Sequence, residues 1–177
     1  MNNWTFDKLY RSTLRFKQWR RNYSHNKKMG ISKIIPYVGT KSVLFQLWAL
    51  GHTQKVTHKI NLLFNNVEIL TELPENKTLF DYFKITNGTD TYYIRKIDPR
   101  KCPLAARCTC ADFFYSFALW NYNAGCLFGP KPRPYRRKTT TYPPRNPNHI
   151  PGICKHIYNS YIFLRVSGYT TEQGMYS

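Results

Sequence analysis

The sequence predicts an α+β fold: a small antiparallel sheet of two hairpins, then a clamped strand–helix–loop–helix unit, with a basic arm in front. Three observations predict it. Val56, His58, Ile60, Leu62 and Phe64 alternate with Thr57, Lys59, Asn61 and Leu63, the period of a half-buried strand. Phe113, Phe117 and Trp120, and later Ile157, Tyr161 and Leu164, recur at the i, i+4, i+7 spacing of a helix. Between these helical stretches, residues 129–152 carry seven prolines and admit no regular element. A chain of 177 residues fits one domain, and 42% hydrophobic residues supply a core, which excludes a disordered chain.

Residues 1–35 read as a basic arm. Lys8, Arg11, Arg15, Lys17, Arg20, Arg21, Lys27 and Lys28 face a single acid, Asp7. Leu9, Phe16 and Trp19 lie near helical spacing, which predicts a helix over about 5–22 with aromatic anchors and a basic face. Trp, Tyr and Arg are enriched at interfaces. Arg11, Arg15, Trp19, Arg20 and Arg21 are therefore candidate contacts to a partner subunit or to phosphates. Gly30 and Pro36 then break the pattern.

From residue 40 onward "KSVLFQLWAL" and "KVTHKINLLF" flank "GHTQ" and read as a hairpin. His58 sits on its apolar face, where a structural histidine is expected rather than a ligand. "DYFKIT" and "TYYIRKI" form a second hairpin around the Asn87-Gly88 turn signal. "DPRKCPLAA" is a loop and "ARCTC" a short strand. A helix is predicted over about 112–123, with Asp112 as its N-terminal cap and Gly125 at its end.

The proline-rich run adds Lys131, Arg133, Arg136, Arg137, Lys138 and Arg145 without an acid. It is a basic strap for phosphates or for an acidic groove, or a stiff loop over its own domain. Arg133, Arg136 and Arg137 are the candidate contacts. A last helix is predicted over about 152–166, stopping at Gly168. The boundaries that follow are an arm at 1–35, an α+β domain at 36–168 and a tail at 169–177.

Chemistry concentrates in two pairs. Cys108 and Cys110 stand one residue apart in "RCTCADFF", and Cys154 and His156 repeat the gap in "PGICKH". A C-x-C pair at a strand end sets two thiolates on one side of a bend. C-x-H at a helix start brings a sulfur and a nitrogen from the other side. Together they form the Cys3His donor set of a closed structural zinc site. Such a zinc ion couples to folding with a gain on the order of 10 kcal/mol. It would clamp the last helix to the strand at 106–110 and pin both ends of the strap.

Other readings of the cysteines carry less. A disulfide is disfavoured in a reducing cytosol, and an Fe–S cluster prefers four cysteines. Cys102 and Cys126 leave room for a ligand swap, with Cys102 read as a loop residue and Cys126 as a buried small one. A catalytic Cys154–His156 pair is the enzymatic reading, but residues two apart at a helix start do not face each other. No Gly-rich phosphate loop, carboxylate pair or Ser/His/Asp set stands out, and nine acids leave little for acid–base work. Neither an enzyme nor a small-molecule substrate is expected.

The order C-x-C…C-x-H resembles the SWIM-type zinc finger, with a long insertion between the pairs. The longer string, "CTCADFF", "LFGPKPRPYRRK" and "NPNHIPGICKH", is similar to virion structural proteins of tailed bacteriophages, cyanophages among them. The similarity covers roughly residues 40–166. It implies a component of the phage particle, at the tail, baseplate or neck before the capsid, whose partners are other virion proteins.

The net charge of +18 points to an anionic partner. The alternative function is accordingly a zinc-binding nucleic-acid-binding protein, with arm and strap contacting phosphates without base specificity. No apolar run approaches the length of a membrane-spanning helix, and the N-terminus lacks the apolar core of a signal peptide. A soluble protein made in the host cytoplasm and destined for the virion is expected, with no membrane partner.

Overall fold

The computed structural model of the protein describes residues 3–15, 29–50, 57–135, 138 and 146–171. Its centre is the antiparallel pair β2 (Ser42–Leu50) and β3 (Thr57–Asn65). Their register places Val43 opposite Phe64, Phe45 opposite Leu62 and Leu47 opposite Ile60. Every one of these side chains is fully buried, and each contributes about 1.5–3 kcal/mol by leaving water. The alternation read in the sequence is thus the inner face of this pair.

Two further strands complete a sheet of order β1-β2-β3-β7. β1 (Met29–Tyr37) is an edge strand that the sequence pattern concealed. It carries Gly30 and Pro36, and its register shifts between Ile31 and Lys33. An edge strand tolerates all three, because one side of its backbone needs no partner strand. β7 (Leu104–Cys108) pairs with β3, Ile60 opposite Cys108. Its outer edge is covered: Ala106 donates its N–H to the Cys126 carbonyl and accepts from Phe128.

The second hairpin stands in a sheet of its own, of order β4-β6-β5, rather than extending the first. β5 (Tyr82–Asn87) and β6 (Asp90–Arg95) are joined by Gly88 and Thr89, with Gly88 at φ +66°. β4 (Ile69–Leu70) is its outer strand. Tyr169 joins the two sheets. It is fully buried, with its ring edge-on to Phe45 at 4.5 Å and to Phe83 of β5 at 5.7 Å. The segment placed in a tail is therefore core at its start. Ile97 and Thr171 then fix it by backbone hydrogen bonds.

The N-terminal segment also differs from the expected arm. Helix α1 (Phe6–Leu14) is capped by Thr5, whose Oγ1 accepts the Lys8 N–H at 3.2 Å. Its apolar side faces this chain's own last helix, α4 (Lys155–Val166), burying Phe6 and Leu9 while Leu14 stays exposed. Phe6 stacks on Tyr161 at 3.7 Å, and Tyr10 on Tyr158 at 5.2 Å. A spacing of four on α1 meets a spacing of three on α4, as two packed helical faces require. The predicted continuation to residue 22 lies outside the described residues. α4 in turn lays Ile157, Tyr161 and Leu164 into the core.

The aromatic helix runs as α2 (Ala111–Phe113), a π-helical turn (Phe114–Ala118) and α3 (Leu119–Asn123). It buries Phe113 and Phe117, and it ends before Gly125, at φ +78°. Asp112 is not its cap. Cys110 holds that position, and the Asp112 carboxylate accepts from the Ser116 hydroxyl at 3.3 Å.

Candidate metal centre

β7 ends beside β3, and the chain must then turn away. Thr109 makes the turn by continuing the ladder with its side chain. Its N–H donates to the Lys59 carbonyl at 3.0 Å, and its Oγ1 accepts the Lys59 N–H at 2.8 Å. Thr109 faces out, so Cys108 and Cys110 both face in, as strand alternation dictates. Cys110 caps α2 with φ −70° and ψ 152°, its sulfur accepting the Phe113 N–H at 3.3 Å. Cys108 accepts the Cys110 N–H at 3.5 Å. Backbone donors aimed at sulfur stabilise the thiolate form.

The second pair arrives from the strap. Helix α4 begins at Lys155, later than the sequence spacing suggested, and residues 152–154 precede it outside any regular element. Cys154 therefore stands in the cap position, with φ −88° and ψ 172°, and His156 in the first turn. This shift overturns the expectation that the two side chains cannot face each other. An extended cap residue throws its side chain back across the first turn, and Cys154 Sγ comes to 4.0 Å from His156 Nδ1.

The structure brings all four predicted donors together. Cys108, Cys110, Cys154 and His156 offer ligand atoms that lie within 4.8 Å of one another, and all four residues are buried. A tetrahedral ion with sulfur at about 2.3 Å and nitrogen at about 2.0 Å needs donors about 3.5–3.8 Å apart. The cluster matches that size after a contraction of at most about 1.3 Å. It is close enough and chemically suited to bind a metal ion.

The protons point the same way. A hydrogen bond from Cys108, then one from Cys154, holds Cys110 far below the usual thiol range. Cys108 is pushed up by its hydrogen bond to Cys110, and Cys154 by burial. The three sulfurs thus compete for charge in a buried site. A divalent cation bound there would favour the thiolate form of all three.

Cys102 and Cys126 stand outside the cluster. Burial pushes both thiols up to about 12, and Cys102 donates to the Asn65 carbonyl at 3.0 Å. They are protonated packing residues, and the donor set needs neither. His58 is closer than its reading as a core histidine implied. It is half-buried, and its ring lies 4.4 Å from that of His156 at a tilt of 47°.

What seats the second pair is polar, and sequence reasoning missed it. Asn121 donates to the Gly152 carbonyl and accepts the Gly152 N–H, both at 2.9 Å. Thr13 Oγ1 accepts the Ile153 N–H at 2.9 Å, and Ser12 donates to the Pro151 carbonyl. Asn146 donates to the carbonyls of Ser116, inside the π-helical turn, and Ile150. Gly152 leaves no room for a side chain unless its neighbours shift: a Cβ there would lie 2.3 Å from the Phe117 ring and 2.7 Å from Thr13 Oγ1. The one sequence signal was Asn-Pro followed by Pro-Gly, which marks a turn without naming its partners.

The candidate contact residues are scattered. Arg11 pairs with Asp7 at 2.9 Å on the surface of α1, while Arg15 and Arg133 are exposed. Trp19, Arg20, Arg21, Arg136 and Arg137 lie outside the described residues. No helix of the described residues is long and apolar enough to cross a membrane. Comparison of the chain with protein-family models, curated proteins and solved structures gives no match.

Proposed function

We propose that the protein is a non-enzymatic structural component of a phage particle, closed by one structural zinc ion. The observation that carries the proposal is the buried Cys3His cluster. Four protein donors fill a tetrahedral shell, which leaves no open position for substrate or water, and catalytic zinc sites keep one open. Zinc suits three thiolates and an imidazole better than a hard cation does. Cys108, Cys110 and Cys154 would hold the ion through sulfur and His156 through Nδ1.

The place of the cluster supports the same reading. It joins the end of β7 to the start of α4, and the strap between these elements carries the resemblance to virion proteins. Pinned at both ends, the strap sequence would offer basic residues to neighbouring subunits, and its prolines lower the cost of ordering it. Tail, baseplate or neck come before capsid as its place, and its partners are other virion proteins.

Mass spectrometry of purified particles tests the assignment. The protein should be present at a fixed copy number per particle; its absence would remove the proposal. Metal analysis of the isolated chain should give about one zinc per molecule, as a closed four-ligand site requires.

A further inference from the structure

The face that the aromatic helix turns to solvent is aromatic, where a surface helix is ordinarily charged. Phe114, Tyr115 and Tyr122 are 37%, 41% and 41% exposed, while Phe113, Ser116 and Phe117 on the other side are buried. The strap adds to this face. Tyr135, 54% exposed, brings its ring to 4.6 Å from Tyr115, and Phe114 meets Tyr115 edge-on at 5.1 Å. Lys131 Nζ lies 5.8 Å from the centre of the Tyr122 ring, and Arg133 is exposed two residues before Tyr135. From Phe113 to Thr171 the sequence has eight Lys and Arg and no acid.

We infer that this ridge is a stacking platform for single-stranded nucleic acid. Unpaired bases stack on Phe114, Tyr115 and Tyr135, and the phosphates run along Lys131 and Arg133. Each unit of such a strand offers an aromatic face and a negative charge, and the ridge offers the complement of both. An acidic protein would supply the charge without the flat faces. A duplex hides its base faces and leaves only phosphates to the cations. The ridge is remote in role from the buried cluster and does not depend on which ion fills it.

Fluorescence anisotropy with the full-length protein tests the inference. The probes are a labelled twenty-nucleotide oligothymidylate and a duplex of the same length, with polyglutamate as competitor. The single strand should bind about tenfold or more tightly than the duplex, and the Tyr115→Ala/Tyr135→Ala variant should lose about tenfold or more of that affinity. Tyr115→Phe/Tyr135→Phe should retain it. Lys131→Ala/Arg133→Ala should weaken both nucleic acids and flatten the salt dependence. Absence of binding at low salt, equal affinity for strand and duplex, or indifference to the ring variants would each overturn the platform. Displacement of the strand by polyglutamate at matched charge would reassign the ridge to an acidic protein partner. The strand-to-duplex ratio of the unmodified protein decides the matter even where a variant fails to fold.

Discussion

The two sheets are closed in opposite ways. The β4-β6-β5 sheet is made locally, its main hairpin turning through Gly88 and Thr89 between paired Asn87 and Asp90. The β1-β2-β3-β7 sheet is finished by distant segments: α1 on α4, Thr13 on Ile153, Asn121 on Gly152, and the four donors across the strap. A local turn fixes few dihedral angles for each bond made. Distant contacts must first overcome the entropy of closing a long loop. A metal ion held by the four donors would offset that cost at one point, where the end of β7 meets the start of α4.

The contrast can be broken from the clamped side first. Cys154→Ser removes a donor and should forfeit metal binding worth on the order of 10 kcal/mol, comparable to the whole stability of a domain. Hydrogen exchange should then show α4 and residues 111–123 losing protection, while the β5–β6 hairpin keeps more of its own. Uniform loss throughout would mean the two sheets form one cooperative unit.

Smaller changes sharpen the picture. Gly152→Ala drives a methyl group into the Phe117 ring, and overpacking of this kind costs about 1–3 kcal/mol. Denaturant unfolding should show that loss with the metal still bound. Asn121→Ala leaves both backbone groups of Gly152 without their side-chain partner, at a cost of about 2 kcal/mol by the same measurement. Gly88→Ala meets no neighbouring atom but forces φ +66° on a residue with a Cβ, for about 1 kcal/mol, on the hairpin alone. Smallest of all, Cys126→Ala should leave metal content unchanged, because its sulfur is no donor.

The local half of the molecule was legible in the sequence. Strand alternation gave β3, Asn87-Gly88 gave the second hairpin, and i, i+4, i+7 spacing gave both aromatic helices. The four donors were legible because a metal site leaves residue types at fixed short gaps. β1 was hidden, since an edge strand with Gly30, Pro36 and a bulge shows no alternation. The docking of α1 was hidden too, because an amphipathic helix looks the same whether its face meets its own domain or another. Asn121 and Thr13 left no signal, as their partner segment lies some thirty positions away or, for Thr13, across most of the chain, and the turn signal at Asn146 did not name Ser116 as its partner. The start of α4 fell later than its periodicity suggested, and that displacement made Cys154 a cap and let it face His156.

The proposed zinc ion, held by Cys108, Cys110, Cys154 and His156, would close the clamped half. X-ray absorption at the zinc edge of the purified protein tests it most directly. The expected spectrum has three sulfur neighbours at about 2.3 Å and one nitrogen at about 2.0 Å, with about one zinc per chain. Chelation should then abolish the protection of α4. A chain that stays fully folded without metal, or a zinc shell lacking that sulfur-to-nitrogen ratio, would contradict the account.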